Sequence, residues 1–528
     1  MPEPIPHYVT TSRGQVSLFQ TGAGPNLVAA AGMITGASVL CAQLAALCPG
    51  WRITVCEMPG IGGSANVEPV SLDDAATVLA EALSFLGDEP FVLLGSEFSC
   101  PLARRLAGVM RNAPQAMFLA GADAARAWKQ TGVAPPDLTP RPDGTHLQAL
   151  WAFIRDRHIL QPANPHQPAT QGEPLPGDGE LSETFIAAAV RPQSWAALWA
   201  MCAESVSGET GGEGRELARL AALPHMLQGL SLPAATSQMP ATAALPDRAI
   251  WHHYVETANG RIHLRRAGDR GTPLLVIPSG GGSCLQFAPV ISGLADSRQV
   301  FAVDYPGNGL SHKPAAEPTI ESLAADMLAL LDALGIETVD IWGSHTGSLV
   351  GLEMAVIAPH RVGRLVMEGP VFISPDFQAD ILANYFPPMK PDKWGLHLPL
   401  VWNWRRDVFL YWPWYRVEHA AARQLGLPTA RELHKYAVGI LESGNTYGGA
   451  YRAAFAYDTR ARLPLLTRPC LICAGPNDML KDGLAEAALL GPTGVTEVRE
   501  TPTTVWWPDP DPAEAAQTME LYDRFLRG

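Results

Sequence analysis

The chain has 528 residues, too many for a single hydrophobic core, and its length predicts two to four domains. Hydrophobic residues make up 47% and charged residues only 17%, which excludes an intrinsically disordered chain. A net charge of −14 gives no electrostatic basis for binding nucleic acid or an anionic membrane, so the expected partner is a small neutral or apolar ligand.

The opening MPEPIPHYVTTSRG lacks the basic and apolar regions of a secretory leader, and no run approaches 18 apolar residues; a cytoplasmic protein is expected. After YVTTSRGQVSLFQTG (8–22), an apolar strand at NLVAAAG (26–32) leads through a Gly-rich turn to a helix. A second apolar strand ends in TVCEMPGIGGS (54–64), a helix follows over 71–87, and a third strand, FVLLGSEFS (91–99), enters a tight turn and another helix. AMFLAGA (116–122) is the next strand. A helical segment over about 123–215 follows, and after ALPHMLQGL (222–230) only turn-rich residues remain. The first unit, 1–245, is therefore expected to lack its last strand or two.

The second unit, 246–528, repeats that order. YVETANGRIHLRRAG (254–268), LLVIPSG (274–280), AVDYPGNGLS (302–311), TIESLAADMLALLDALG (319–335) and VDIWGSHTG (339–347) match their counterparts at a spacing of about 247 residues. Repetition with insertions of only one or two residues means a duplicated domain, and the alternation of strand and helix predicts an α/β fold with two mostly parallel sheets flanked by helices. The two units are expected to pack together within the chain, and a homodimer is compatible with the sequence. The eight cysteines are scattered through apolar segments, and Cys470 and Cys473 fall in PCLICAG, which reads as a buried strand rather than a redox or metal motif.

The second unit resembles the α/β-hydrolase superfamily over roughly 250–528. The resemblance rests on the order of five features: the Pro278-Ser279-Gly280-Gly281-Gly282 loop, the D-x-P-G-x-G-x-S turn from Asp304 to Ser311, the Gly343-Ser344-His345-Thr346-Gly347 turn, RLVMEGP followed by a cap over about 374–460, and PCLICAGPNDML. It implies a nucleophile at the centre of the G-x-Nuc-x-G elbow, on a strained strand-to-helix turn facing an oxyanion hole. Here that position is His345, with Ser344 before it. The first unit reads Gly95-Ser96-Glu97-Phe98-Ser99, and with Phe98 and Ser99 off the pattern, Glu97 is expected to sit in a decayed elbow.

The resemblance also implies a histidine on the loop after the last strand, yet the last histidine is His434, and Trp506 or Trp507 is expected to fill that space. Asp478 matches the acid position, whose ordinary task is to orient the absent histidine. His345 is then either a remnant of a decayed site or the working base or nucleophile. The retained glycines and Thr346 favour the second. Backbone N–H groups of Thr346 and the Gly280–Gly282 loop, with Ser279 beside it, are expected to hold an oxyanion.

The caps share a pattern. Gly144 to Asp156 and Gly395 to Asp407 agree at six of thirteen positions, including His146/His397, Trp151/Trp402 and Arg155/Arg406. Leu398, Trp402 and Arg406 fall on one helical face, which either docks the cap or contacts substrate. His397 is a candidate for the missing base. Tyr447 and Tyr451, four apart like Trp195 and Trp199, are candidate substrate contacts over an apolar site.

PGIGGS and PGNGLS lack the spacing of phosphate cradles. His252-His253 reads as an isolated pair in the linker, no metal or cofactor is expected, and Asp304 is assigned a structural role. The expected function is an atypical α/β-hydrolase-fold enzyme acting on a small hydrophobic carbonyl compound (ester, lactone or β-dicarbonyl) in the second unit alone. The alternative is a catalytically inactive ligand-binding protein or scaffold; a conventional hydrolase using Ser344 or Ser279 ranks third.

Overall fold

The computed structural model describes residues 3–170, 174–208, 214–245 and 249–528. The chain divides into two compact units: Met1–Ala243 together with Pro391–Leu398, and Ala244–Lys390 together with Pro399–Gly528. Residue 246, where the sequence places the start of the second unit, lies outside the described residues. Residues 391–398, expected in the second cap, group instead with the first unit.

In the first unit, strands β1 (Ile5–Thr11), β2 (Gly14–Thr21), β3 (Asn26–Ala30), β4 (Arg52–Cys56), β5 (Phe91–Ser96), β6 (Ala116–Ala120) and β9 (Arg215–Leu217) form one sheet in the order β1-β2-β4-β3-β5-β6-β9. β1 pairs antiparallel with β2, and β2 with β4; the remaining pairings are parallel. Every residue of β3 and β5 is buried, as strands with helices on both faces require, which is why they read as continuous apolar runs. Helices Ala122–Gln130, Thr145–Ile159, Asp178–Val190 and Pro192–Gly208, with a small hairpin of β7 (Leu160–Gln161) and β8 (Asn164–Pro168), make the cap.

The second unit repeats this with eight strands: β10 (Trp251–Thr257), β11 (Gly260–Ala267), β12 (Pro273–Ile277), β13 (Gln299–Val303), β14 (Val339–Ser344), β15 (Val362–Glu368), β16 (Cys470–Ala474) and β17 (Thr496–Glu500), in the order β10-β11-β13-β12-β14-β15-β16-β17. β17 has no counterpart among the described residues of the first unit, so the truncation amounts to this strand and the helix Pro512–Arg527 after it. Cys470 and Cys473 lie buried in β16 with free thiols. Among the described residues no helix is long and apolar enough to cross a membrane.

His252 and His253 do not lie in a linker: they belong to β10. His252 Nδ1 is 2.9 Å from His263 Nε2, and His263 Nδ1 is 2.8 Å from Asp304 Oδ2. Asp304 also accepts the N–H groups of Cys284 (2.7 Å) and Leu310 (3.0 Å), tying the Gly-rich loop to the P-G-x-G turn. Burial alone would raise its pKa, but His263 and Arg265 outweigh this and hold it well below the usual carboxylate range.

Candidate active site

β14 lies between β12 and β15 at the centre of the second sheet and ends at the helix Thr346–Ile357. His345 stands between them with φ 48° and ψ −107°, a conformation a non-glycine residue rarely holds without over-determined surroundings. Its N–H donates to Glu368 O at 2.7 Å. Two glycines make room: a Cβ on Gly347 would lie 2.0 Å from Ile277 O, and one on Gly369, itself at φ +67°, would lie 2.1 Å from His345 Cδ2.

His345 Nε2 lies 3.0 Å from Oδ2 and 3.2 Å from Oδ1 of Asp478, in the loop after β16. A carboxylate only accepts, so Nε2 carries the proton and donates it, which leaves a lone pair on Nδ1. Among the described residues Nδ1 has no hydrogen-bonding partner. Burial opposes charge on the ring, but the Asp478 charge and hydrogen bond, with Glu368 behind, outweigh it and raise the His345 pKa above its ordinary 6.5. For Asp478 burial is likewise outweighed, by His345, the Leu480 N–H and Arg423, and its pKa falls below the ordinary 3.8.

His345 borders a cavity of about 50 Å³, whose walls are mostly aromatic and aliphatic. Trp506 stands edge-on to the imidazole at 5.7 Å, its Nε1 donating to Glu368 Oε2 at 2.5 Å, and both Trp506 and Trp507 line the cavity. Arg405 brings a guanidinium to this wall. Arg405 is 6% exposed, lies 5.2 Å from the rings of both Trp404 and Tyr436, and its Nε is unsatisfied.

Of the residues singled out from sequence, His345, Asp478, Thr346, Ser279 and Tyr451 meet at this site. Thr346, Ser279 and Tyr451 line the cavity. Tyr451 covers the Gly-rich loop so closely that a Cβ on Gly281 would lie 2.0 Å from its ring. The oxyanion role expected of Gly280 needs correction, because its N–H already donates to Thr346 Oγ1 at 3.1 Å. Thr346 opens its helix, so its own N–H has no acceptor one turn back.

Four others stand elsewhere. Ser344 Oγ is fully buried, without a partner, and off the cavity wall. Trp402 is fully buried and off the wall, and Tyr447 packs 5.1 Å from Trp404 with its hydroxyl donating to Pro387 O at 2.5 Å. His397 is not over the elbow: it belongs to the segment grouped with the first unit, lies edge-on to Trp151 at 4.9 Å, and has neither ring nitrogen hydrogen-bonded. Arg406 pairs with Asp407 at 2.9 Å, whereas its neighbour Arg405, which sequence reasoning passed over, faces the site.

The elbow of the first unit also departs from expectation. Glu97 has φ 52°, so the strained turn persists without the second glycine. Ser99 suffices there, its Oγ accepting from Ser96 N–H at 2.9 Å and lying 2.8 Å from Ala30 O. The Glu97 carboxylate accepts from Thr35 Oγ1 (2.6 Å) and Ile34 N–H (3.1 Å).

The family model described as alpha/beta hydrolase fold matches residues 272–395. A candidate carbamate hydrolase, RutD, of Stutzerimonas stutzeri is 30% identical over 223 residues, 42% of this chain and 78% of that protein. The chain belongs to the α/β-hydrolase superfamily. The RutD protein of Azorhizobium caulinodans is 27% identical over 213 residues, 40% of this chain and 75% of its own length. The solved structure of an enol-lactonase from Burkholderia xenovorans LB400 is 20% identical, with a TM-score of 0.40, over 52% of this chain and all of that one. The second unit carries histidine at its strand-to-helix turn and tryptophans on the loop after β17.

Proposed function

We propose that the second unit is an enzyme in which a His345–Asp478 dyad replaces the serine triad and acts as a general base on a small apolar carbonyl compound. The observation that carries this is the ring held through Nε2 by both Asp478 oxygens while Nδ1 keeps a free lone pair beside a cavity. Nδ1 would take a proton from carbon next to a carbonyl, the electron pair passing to the carbonyl oxygen, or from water attacking that carbonyl. Asp478 would stabilise the resulting imidazolium. The Thr346 N–H and the Arg405 guanidinium are the groups available for the oxyanion or enolate.

A base fits better than a nucleophile, since an acylated His345 would leave no second base to activate the deacylating water. The free volume, about 50 Å³, is well under the roughly 150 Å³ that accommodates benzene in an apolar protein cavity, so the reacting portion is expected to be a few heavy atoms. That tightness also favours a second reading, a binding site without turnover. A panel of small acyl esters, lactones and β-dicarbonyl compounds assayed on the wild type and His345→Ala separates them. Turnover that disappears in the variant supports the enzyme; turnover that survives contradicts the dyad, and silence across the panel supports binding alone. The RutD relatives make carbamates a natural addition to the panel.

A further inference from the structure

The first unit holds a far larger cavity than the second, about 1000 Å³, whose lining among the described residues belongs to that unit, at the upper end of the range for small-molecule sites. Ile34, Val39, Leu40 and Leu220 give it apolar walls. Arg157, from the cap helix Thr145–Ile159, also faces it. That side chain is 9% exposed, its guanidinium lies 4.7 Å from the Phe153 ring and 5.9 Å from the Trp128 ring, and its Nε and Nη1 have no hydrogen-bond partner. A buried guanidinium without an acceptor is costly, and the planar fork it presents matches a carboxylate.

We propose that this cavity is a second ligand site, which binds an organic carboxylate through Arg157 and accommodates its apolar body against the Ile34, Val39, Leu40 and Leu220 walls. Glu97 argues that the site binds rather than reacts. Gly32, Met33 and Ile34 align with Gly280, Gly281 and Gly282 of the second unit, and the Glu97 carboxylate occupies donors of that turn, Ile34 N–H and the Thr35 hydroxyl. A reacting carbonyl would find them taken. Burial pushes the Glu97 pKa up to about 7 against those hydrogen bonds, so near neutral pH it is only partly ionised, and its repulsion of an incoming anion falls as pH is lowered. His158, beside Arg157, is engaged with Ile34 O at 3.0 Å, and burial lowers its pKa, so it adds no charge.

The test is isothermal titration calorimetry of the full chain with octanoate and with neutral octanamide. One saturable octanoate site per chain is expected, with octanamide at least about tenfold weaker. Arg157→Met should weaken octanoate by about tenfold or more and leave octanamide unchanged, Arg157→Lys should fall between, and Arg270→Met, at an exposed arginine of the other unit, should bind like the wild type. Circular dichroism checks that each variant is folded. Equal affinity for acid and amide, absence of a saturable site, undiminished octanoate binding by Arg157→Met, or loss of binding in Arg270→Met would each overturn the proposal.

Discussion

His345 and Asp478 are joined by one imidazole N–H directed at two carboxylate oxygens, 3.0 and 3.2 Å away, although 133 residues separate them in the chain. Asp478, on the loop after β16, thereby fixes the orientation of the imidazole on the turn after β14.

Asp478→Asn keeps the volume of the side chain and removes the charge that outweighs burial at His345, so the His345 pKa should fall. A general base works in its neutral form. The rising limb of the rate against pH should therefore move to lower pH, while the maximum rate drops on the order of 100-fold as the imidazolium loses its counter-charge. NMR titration of the His345 ring gives the same shift without a substrate. Stability follows with a defined sign. The raised His345 pKa contributes stability that is full below 6.5 and is lost as pH rises through the folded value; the lowered Asp478 pKa contributes stability above 3.8 that is lost as pH falls. The wild type should exceed Asp478→Asn in urea denaturation most near pH 5 and least near pH 9.

How much of this was legible in sequence follows from what fixes each residue. The duplicated strand-turn-helix order is written in apolar runs and glycines because buried parallel strands and tight turns admit few alternatives, and Asp478 was found through its place after β16. In the cap, Leu398, Trp402 and Arg406 share a helical face for which the sequence favours docking over substrate contact; Leu398 and Trp402 are buried off the cavity wall, Arg406 pairs with Asp407, and the cavity is met by Arg405, about 100° around the helix from Arg406. No local pattern marks which face meets a pocket. His397 was misplaced because residues 391–398 group with the first unit, a long-range fact that spacing does not encode. At Glu97, Ser99 was read as a lost glycine, although a serine that accepts the Ser96 N–H supports the same positive-φ turn.

Arg405→Met should separate binding from chemistry. With the guanidinium gone, kcat/KM on an active substrate should fall by about 10- to 100-fold, mainly through KM. The pH profile should stay in place, because the groups that shift His345 are Asp478, Glu368 and Arg423 rather than Arg405. Thermal unfolding should shift upward, since an unpaired buried charge gives way to an apolar side chain of similar length. A moved pH profile or a lower unfolding temperature would mean that Arg405 supports the fold rather than the substrate.

Gly369→Ala and Gly494→Ala place the same methyl at similar backbone angles, φ +67° and φ +79°. At Gly494 nothing lies within 4 Å of the added Cβ, so only the left-handed strain of about 1 kcal/mol is expected. At Gly369 the methyl meets His345 Cδ2 at 2.1 Å and Asp478 Oδ2 at 3.0 Å, adding an overpacking cost of about 1–3 kcal/mol and displacing the imidazole from its partner. Denaturant midpoints should differ accordingly, and only Gly369→Ala should abolish activity. Equal stabilities would show that the dyad has room to move.

Glu97 gives the first unit its own pH signature. Its folded pKa of about 7 stands above the ordinary 4.5, so between these values the folded state holds a proton that the unfolded chain has released. Stability should therefore fall as pH rises from 4.5 through 7, by up to about 3 kcal/mol, and level off above. Glu97→Gln removes that slope without emptying the turn. The Gln carbonyl can accept from Ile34 N–H while its amide donates to Thr35 Oγ1, whose hydroxyl is free to rotate. The variant should match the wild type near pH 5 and exceed it near pH 8 in urea denaturation followed at both values. The same slope in both proteins would show that Glu97 ionises as readily in the fold as in water, and that its burial costs the carboxylate nothing.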